Sequence, residues 1–136
     1  MPENSRLEQP QKRSGIPTRR GEIYHITTEA DWLAALTAGS YTADSLASEG
    51  FIHCSEARQV VPVAEHFFHG RQDLVLLQIN LRWVAAPIRF ENLEGGDDLF
   101  PHIYGPLNID AVVRVHRFAP NPEGGFSLPT DAGGSG

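Results

Sequence analysis

The chain has 136 residues, which suits a single domain, and its 17 acidic and 11 basic side chains give a net charge of −6. The only lysine is Lys12, and this acidic balance excludes the basic stripe with which duplex-DNA binders release counterions. Because no apolar run of about 18 residues occurs, the sequence also excludes a membrane-spanning helix.

The two ends are predicted to be flexible tails around one domain at residues 21–119. Residues 1–20 lack apolar periodicity, and residues 120–136 are rich in Pro, Gly and Ser. The first tail carries a basic cluster, for which a weak contact with RNA and a solvated tail are the two interpretations. The cluster consists of Lys12, Arg13, Arg19 and Arg20. With one cysteine, Cys54, and no signal peptide, a cytoplasmic location is expected.

A strand, a cap and a helix are predicted from residue 22 onward. Residues 22–26 form a short β-type run, and the Thr27–Thr28 pair offers an N-cap. The helix that follows is expected to end at Gly39 and to bury the stripe Trp32, Leu33, Ala35 and Leu36. Residues 40–49 are small and polar, which predicts a loop.

Residues 51–54 are predicted to form a second short strand. Alternation places Phe51 and His53 on one face and Ile52 and Cys54 on the other, and Cys54 is expected to be a buried thiol. Ser55 is expected to cap the next helix, which Pro62 would kink or restart.

The second half of the chain is predicted to be mostly strand. Residues 73–80 are apolar on both faces and therefore central, and residues 87–92 and 109–118 alternate with a period of two. Residues 94–108 are rich in Gly and Pro, which predicts a long loop of the kind that is often functional. The order β-α-β-α-β-β-loop-β predicts an α+β domain with a small mixed or antiparallel sheet and two main helices.

His25 and His53 are the strongest candidates for a functional site. Each lies in a short strand directly before a predicted helix, so both are expected to face one cleft near helix N-termini, which bind phosphate or carboxylate. An imidazole there can donate a hydrogen bond or transfer a proton near neutral pH. The alternative is that either ring only hydrogen-bonds the sheet.

His66 and His69 are the candidates for a metal site. They lie three residues apart on one helix face, and His53, His102 or Asp98 would supply a further ligand. A partly exposed helix end explains the same spacing.

The segment FPHIYGP at residues 100–106 combines rigid turn residues with aromatic and histidine side chains. Rigid turns hold side chains in place at low entropic cost, which favours a binding loop in which His102 or Tyr104 contacts a base or sugar. A structural corner that ties the last strand to the sheet is the alternative.

Three strings resemble the bacterial family called domain of unknown function 952, over about residues 22–118. They are YHIT at 24–27, SEGFIHCS at 48–55 and FPHIYGP at 100–106. The first two are also similar, more distantly, to histidine motifs of the ADP-ribosyltransferase superfamily, including the RNA 2′-phosphotransferases. That likeness implies an ADP-ribosyltransferase-like split β-sheet.

The more distant resemblance also implies a nucleotide site, with NAD as a substrate and His25 and His53 as catalytic residues at its ribose and phosphates. Residues expected to bind the nucleotide are Thr27, Ser55, Arg58, Arg71, His102 and Tyr104. Ile26 stands where these motifs carry glycine, and no glutamate clearly matches the transferase acid.

The leading hypothesis is therefore a domain that binds or transfers an ADP-ribosyl or 2′-phosphate group. The alternative is a non-enzymatic module that binds a metal or another protein. The chain would be a monomer, or a homodimer paired through a strand edge such as residues 109–118.

Overall fold

The structure, a computed structural model, describes residues 21–93 and 96–129. The predicted tail at residues 1–20 lies outside this part of the chain. The helices are α1 (Glu29–Ala38), α2 (Asp44–Glu49) and α3 (Ala57–Phe67). The strands are β1 (Glu22–Thr28), β2 (Ser40–Tyr41), β3 (Ile52–His53), β4 (Leu74–Asn80), β5 (Ile88–Glu91), β6 (Phe100–Ile103), β7 (Leu107–Asn108) and β8 (Val112–Phe118).

The strands pair antiparallel in three sheets, which confirms the α+β class. The central sheet has the order β1-β4-β8, a second sheet has the order β3-β6-β5, and β2 pairs with β7. β4 is buried along almost its whole length, as its continuous apolar run predicts. Within the described residues, no helix has the length and hydrophobicity needed to cross a membrane.

Apolar side chains cover the central sheet on both faces. One face packs against α1 and the second sheet, in a core that includes Ile23, Trp32, Ile52, Leu77 and Ile103. The opposite face packs against α3 in a core that includes Tyr24, Val60, Leu76, Phe118 and Phe126. The central sheet therefore leaves little room for a ligand on either face. The second sheet packs on the core with one face, and its other face lies outside both cores.

Helix α1 begins and ends where the sequence predicts. The Thr28 hydroxyl accepts a hydrogen bond from the Asp31 amide at 3.0 Å, and Gly39 ends the helix with a left-handed φ of 93°. Only Trp32 and Ala35 of the predicted stripe are buried, whereas Leu33 and Leu36 are exposed. The prediction that all four side chains are buried was wrong, because this surface helix packs against the core only along the line of Trp32 and Ala35.

Residues 40–49 were predicted to be a loop, and they instead contain β2 and α2. The prediction that Ser55 caps the next helix was also wrong, because α3 begins at Ala57 with Glu56 at the N-cap. Ser55 is held away from that role by two backbone hydrogen bonds to Tyr24, of 2.7 and 2.8 Å. Pro62 lies within one continuous helix, so the predicted new start is absent from α3.

The Gly/Pro-rich segment 94–108 is less irregular than predicted, because it contains β6 and β7. The predicted flexible tail from residue 120 was also wrong for residues 120–129, because part of this segment packs against the core. Phe126 is buried and stacks on Phe118 with ring centroids 5.0 Å apart. Burial of this aromatic ring offsets the entropy of ordering the segment. Residues 130–136 of the predicted tail lie outside the described part of the chain.

Strand β8 forms one edge of the central sheet and carries a β-bulge. Val112 lies opposite Ile79 and Arg114 lies opposite Gln78, so Val113 is the extra residue. Bulges and charged side chains are features that discourage an edge strand from pairing with another chain.

Candidate functional site

His25 lies on β1 with only 8% of its surface exposed. Its Nδ1 atom contacts the main-chain carbonyl of His53, and its Nε2 atom lies 2.8 Å from the Tyr41 hydroxyl. That hydroxyl lies 2.9 Å from Oγ1 of Thr27. We call these groups the buried network: Thr27, Tyr41, the His25 ring and the His53 carbonyl.

The protonation state of His25 determines the direction of these hydrogen bonds. Burial lowers the pKa of His25 to about 4, although the bond to the His53 carbonyl opposes this shift, so the ring is neutral at pH 7. A carbonyl only accepts, so Nδ1 carries the single proton and Nε2 accepts from the Tyr41 hydroxyl. Burial also raises the pKa of Tyr41 to about 12, which keeps its phenol protonated as a donor.

The second sheet has one apolar face and one polar face. Ile52, Phe90 and Ile103 belong to the core, as does Cys54, which confirms the predicted alternation and the buried thiol. Burial raises the pKa of Cys54, so it remains a thiol. The opposite face, which we call the histidine face, carries Phe51, His53, Arg89, Glu91, His102 and Tyr104.

Glu91 is the hydrogen-bonding centre of the histidine face. Its Oε1 atom lies 2.9 Å from Nδ1 of His102 and accepts a 2.6 Å hydrogen bond from the Tyr104 hydroxyl. Burial by itself raises the pKa of Glu91, but these bonds and the charge of Arg89 hold it below its ordinary value. The bond to the Glu91 carboxylate raises the pKa of Tyr104. Arg89 lies over the Tyr104 ring, 5.0 Å from its centroid.

His53 is the exposed imidazole of this face. Its side chain is 46% exposed, and its Nε2 atom lies 3.2 Å from a carboxylate oxygen of Glu49. The ring makes edge contacts with Phe51 and His102, with centroid distances of 4.8 and 5.3 Å. Gly50 ends α2 with a φ of 92°. This left-handed residue turns the chain so that β3 returns past Glu49.

His102 is buried beneath this surface, where Phe51 stacks on it with centroids 4.1 Å apart. Beside it, the Tyr104 amide donates a 2.8 Å hydrogen bond to the Pro87 carbonyl. Gly105 has a φ of 157°, and a Cβ atom there would lie 2.8 Å from Cβ of Ala86. The segment is thus a strand and a tight corner, and ligand contact by His102 or Tyr104 stays a prediction.

The structure brings His53, His102 and Tyr104 onto one face, and His25 contacts the main-chain carbonyl of His53 from the neighbouring strand β1. The His25 ring is buried, so the two histidine rings do not face a common open cleft as expected. Thr27 belongs to the buried network, and Ser55 is buried in its backbone bridge to Tyr24.

The two arginines expected to bind phosphate are each paired with acidic residues. Arg58 lies 3.2 Å from Asp98 and 3.4 Å from Glu56. Arg71 makes a bidentate contact with Asp73, at 3.0 and 2.7 Å. Both guanidinium groups therefore already have carboxylate partners.

The candidate metal ligands do not converge on a shared site. His66 and His69 are exposed, and the His66 ring contacts Phe67 edge-on at 4.4 Å. Over residues 21–93 and 96–129, no group of three His, Cys, Asp or Glu side chains could hold a metal ion.

Sequence reasoning missed four contributors, namely Tyr41, Glu49, Arg89 and Glu91. Tyr41 and Glu49 lie in the segment predicted to be a loop. Arg89 and Glu91 alternate with apolar residues in β5, a signal that separates the two faces of the strand. Alternation does not show that Glu91 meets His102.

Residues 26–115 match the family described as protein of unknown function (DUF952). The chain belongs to this family. No curated protein gives a significant match.

Solved structures of protein CC0527 from Caulobacter crescentus share the fold of this DUF952 chain. The X-ray crystal structure is 31% identical, with a TM-score of 0.71, and the match covers 79% of this chain and 94% of that one. The solution NMR structure is 30% identical, with a TM-score of 0.70, and the match covers 82% of this chain and 95% of that one.

Proposed function

We propose that this DUF952 domain binds a nucleotide at the histidine face. The ligand would be NAD, ADP-ribose or a 2′-phosphorylated nucleotide, and the reaction to test is transfer of the ADP-ribosyl or 2′-phosphate group. The distant resemblance to ADP-ribosyltransferase histidine motifs, and the split-sheet fold it implies, support this choice of ligand.

The observation that carries the proposal is the exposed His53 ring, which contacts the Glu49 carboxylate and packs against His102, itself bonded to Glu91. Glu49 lies 3.2 Å from Nε2 of His53, and Glu91 lies behind it on His102. A carboxylate that holds one ring nitrogen orients the imidazole, so the other nitrogen is directed for hydrogen bonding or proton transfer. An imidazole oriented in this way can bond to the hydroxyl and phosphate oxygens of a nucleotide.

Arg89 replaces Arg58 and Arg71 as the proposed phosphate-binding arginine. It lies on the histidine face above the Tyr104 ring, whereas the other two guanidinium groups are paired with carboxylates. A guanidinium group pairs with phosphate through parallel hydrogen bonds. Glu49 and Glu91 provide acidic groups here, although neither occupies a position that matches the transferase acid.

Calorimetric titration with NAD, ADP-ribose and NADP tests the proposal, with NADP as the 2′-phosphorylated nucleotide. We expect micromolar binding that weakens by about tenfold or more in His53→Ala, a loss of roughly 1.4 kcal/mol. His69→Ala is the matched control, because it removes an exposed histidine away from this face. Absence of both heat and amide chemical-shift changes with all three ligands, or equal affinity in His53→Ala, would overturn the proposal.

Of the two predicted assembly states, we propose the monomer. The bulge at Val113 and the exposed Arg114 and Arg117 disfavour pairing of β8 with the β8 strand of a second copy. Sedimentation equilibrium at several concentrations measures this, and a mass that doubles with concentration would contradict it.

A further inference from the structure

We infer that His25 is a positioning residue that acts on His53 through the main-chain carbonyl of His53 and does not contact the ligand. The affinity part of this inference rests on the proposed function. The structural part concerns one hydrogen bond between β1 and β3, and it is testable in the ligand-free protein.

Both ring nitrogens of His25 already have partners inside the protein. Nδ1 meets the carbonyl of His53, and Nε2 meets the Tyr41 hydroxyl at 2.8 Å. Since only 8% of the residue is exposed, a ligand would have to displace Tyr41 or the β3 backbone to reach the ring. The His53 side chain, by contrast, has a large exposed surface.

The carbonyl of His53 lies where the two larger sheets meet. β3 has only two residues, and such a short strand has few backbone hydrogen bonds to fix its position. Two contacts beyond the strand hold the chain that follows. The Cys54 amide donates to the Pro101 carbonyl at 3.0 Å, and Ser55 forms a backbone bridge with Tyr24 of the central sheet.

The contact from His25 adds a third tie, at the residue that bears the exposed imidazole. It fixes the peptide plane that follows His53 and, with it, the direction in which that side chain leaves β3. The ring contacts with Phe51 and His102 then hold the imidazole in place. Because the carbonyl of His53 only accepts, it keeps the proton of His25 on Nδ1, while the Tyr41 hydroxyl contacts the other ring nitrogen.

An asparagine at position 25 separates positioning from ligand contact. Its side-chain amide provides an N–H donor near the place of Nδ1 and nothing at the place of Nε2. Alanine removes both groups. If His25 acts through Nδ1 alone, His25→Asn should recover most of what His25→Ala loses, whereas a ligand contact made through Nε2 would be lost in both variants.

The ligand-free experiment is a nuclear magnetic resonance measurement of scalar coupling across the hydrogen bond from Nδ1 of His25 to the carbonyl carbon of His53. We expect a measurable coupling in the wild-type protein, and a Cys54 amide resonance that moves in His25→Ala and returns towards its wild-type position in His25→Asn. Absence of the coupling, or a Cys54 amide that is equally displaced in both variants, overturns the inference. If His25→Ala does not fold, the coupling and the His25→Asn spectrum decide.

The affinity experiment uses NAD, ADP-ribose and NADP. We expect about tenfold weaker binding in His25→Ala, and recovery to within about threefold of wild type in His25→Asn. Equal losses in the two variants would show that Nε2 contacts the nucleotide and overturn the inference. If wild-type protein binds none of the three ligands, the proposed function fails, while the coupling still decides whether His25 positions the His53 carbonyl.

Discussion

The two histidine motifs at residues 24–27 and 52–55 look alike in sequence and occupy opposite environments. His25 lies in a strand whose sheet is packed on both faces, and its ring is neutral and enclosed. His53 lies in a strand of a sheet with one face open, and its ring is exposed beside Glu49. Similar motifs thus place their rings in different environments, and burial leaves neither ring nitrogen of His25 available for a ligand.

The largest effect should come from removing the buried ring. His25→Ala takes away a packed side chain and leaves the carbonyl of His53 without this donor, so we expect a loss of about 3 kcal/mol in unfolding free energy. His53→Ala removes an exposed side chain and should change stability by about 0.5 kcal/mol or less. Urea denaturation of both variants measures the contrast, and equal losses would mean that the two environments are not as distinct as described.

The two motifs should also differ in their response to acid. The pKa of His25 is lowered from 6.5 to about 4 in the folded protein, so between these values the unfolded chain binds the extra proton. This contribution to stability is fully present above pH 6.5 and is lost as the pH falls. From pH 7 to pH 5, we expect a loss of about 2 kcal/mol.

Urea denaturation at several pH values tests this expectation, with His25→Asn as the comparison. The lowered pKa of Glu91 implies a loss of stability only below about 4.5, which is outside this interval. The pH dependence between 7 and 5 should therefore be shallower in His25→Asn. A slope equal to that of the wild-type protein would assign the dependence to other groups.

A smaller effect should separate the two tyrosine hydroxyls. Tyr41→Phe leaves Nε2 of buried His25 without its donor, so we expect a loss of about 1–2 kcal/mol. Tyr104→Phe removes a bond to Glu91 on a partly exposed face, where water can replace the hydroxyl, and should cost about 0.5 kcal/mol. Thermal and urea unfolding measure both, and a larger loss in Tyr104→Phe would reverse the comparison.

Local signals in the sequence predicted the parts of the fold that depend on neighbouring residues. Thr28 and Gly39 mark the ends of α1 because a cap and a left-handed stop act within one turn. The alternation around Phe51 and His53 assigned their shared face correctly because strand residues point to opposite faces in turn. The apolar run at residues 73–80 likewise predicted the central strand.

The rest of the site depends on pairing between distant segments, which no local pattern encodes. β6 lies between Gly/Pro-rich stretches and becomes a strand because β3 and β5 pair with it. Glu91 meets His102 through the register of β5 and β6, eleven residues apart in sequence. The burial of His25 follows from packing on Tyr41, a residue in a segment whose polar composition predicted a loop.

The stack of Phe126 on Phe118 shows that the folding unit extends beyond the segment that identifies the family. A protein trimmed to the matched residues 26–115 would lose the first residues of β1 and both stacked rings. It would also lose the three pairs between β4 and β8 that involve residues 116–118. The core against which α3 packs would then be exposed to water at the positions of Phe118 and Phe126. For expression and biophysical work, the protein should therefore begin before β1 and extend past Phe126, so that both sides of the central sheet stay closed.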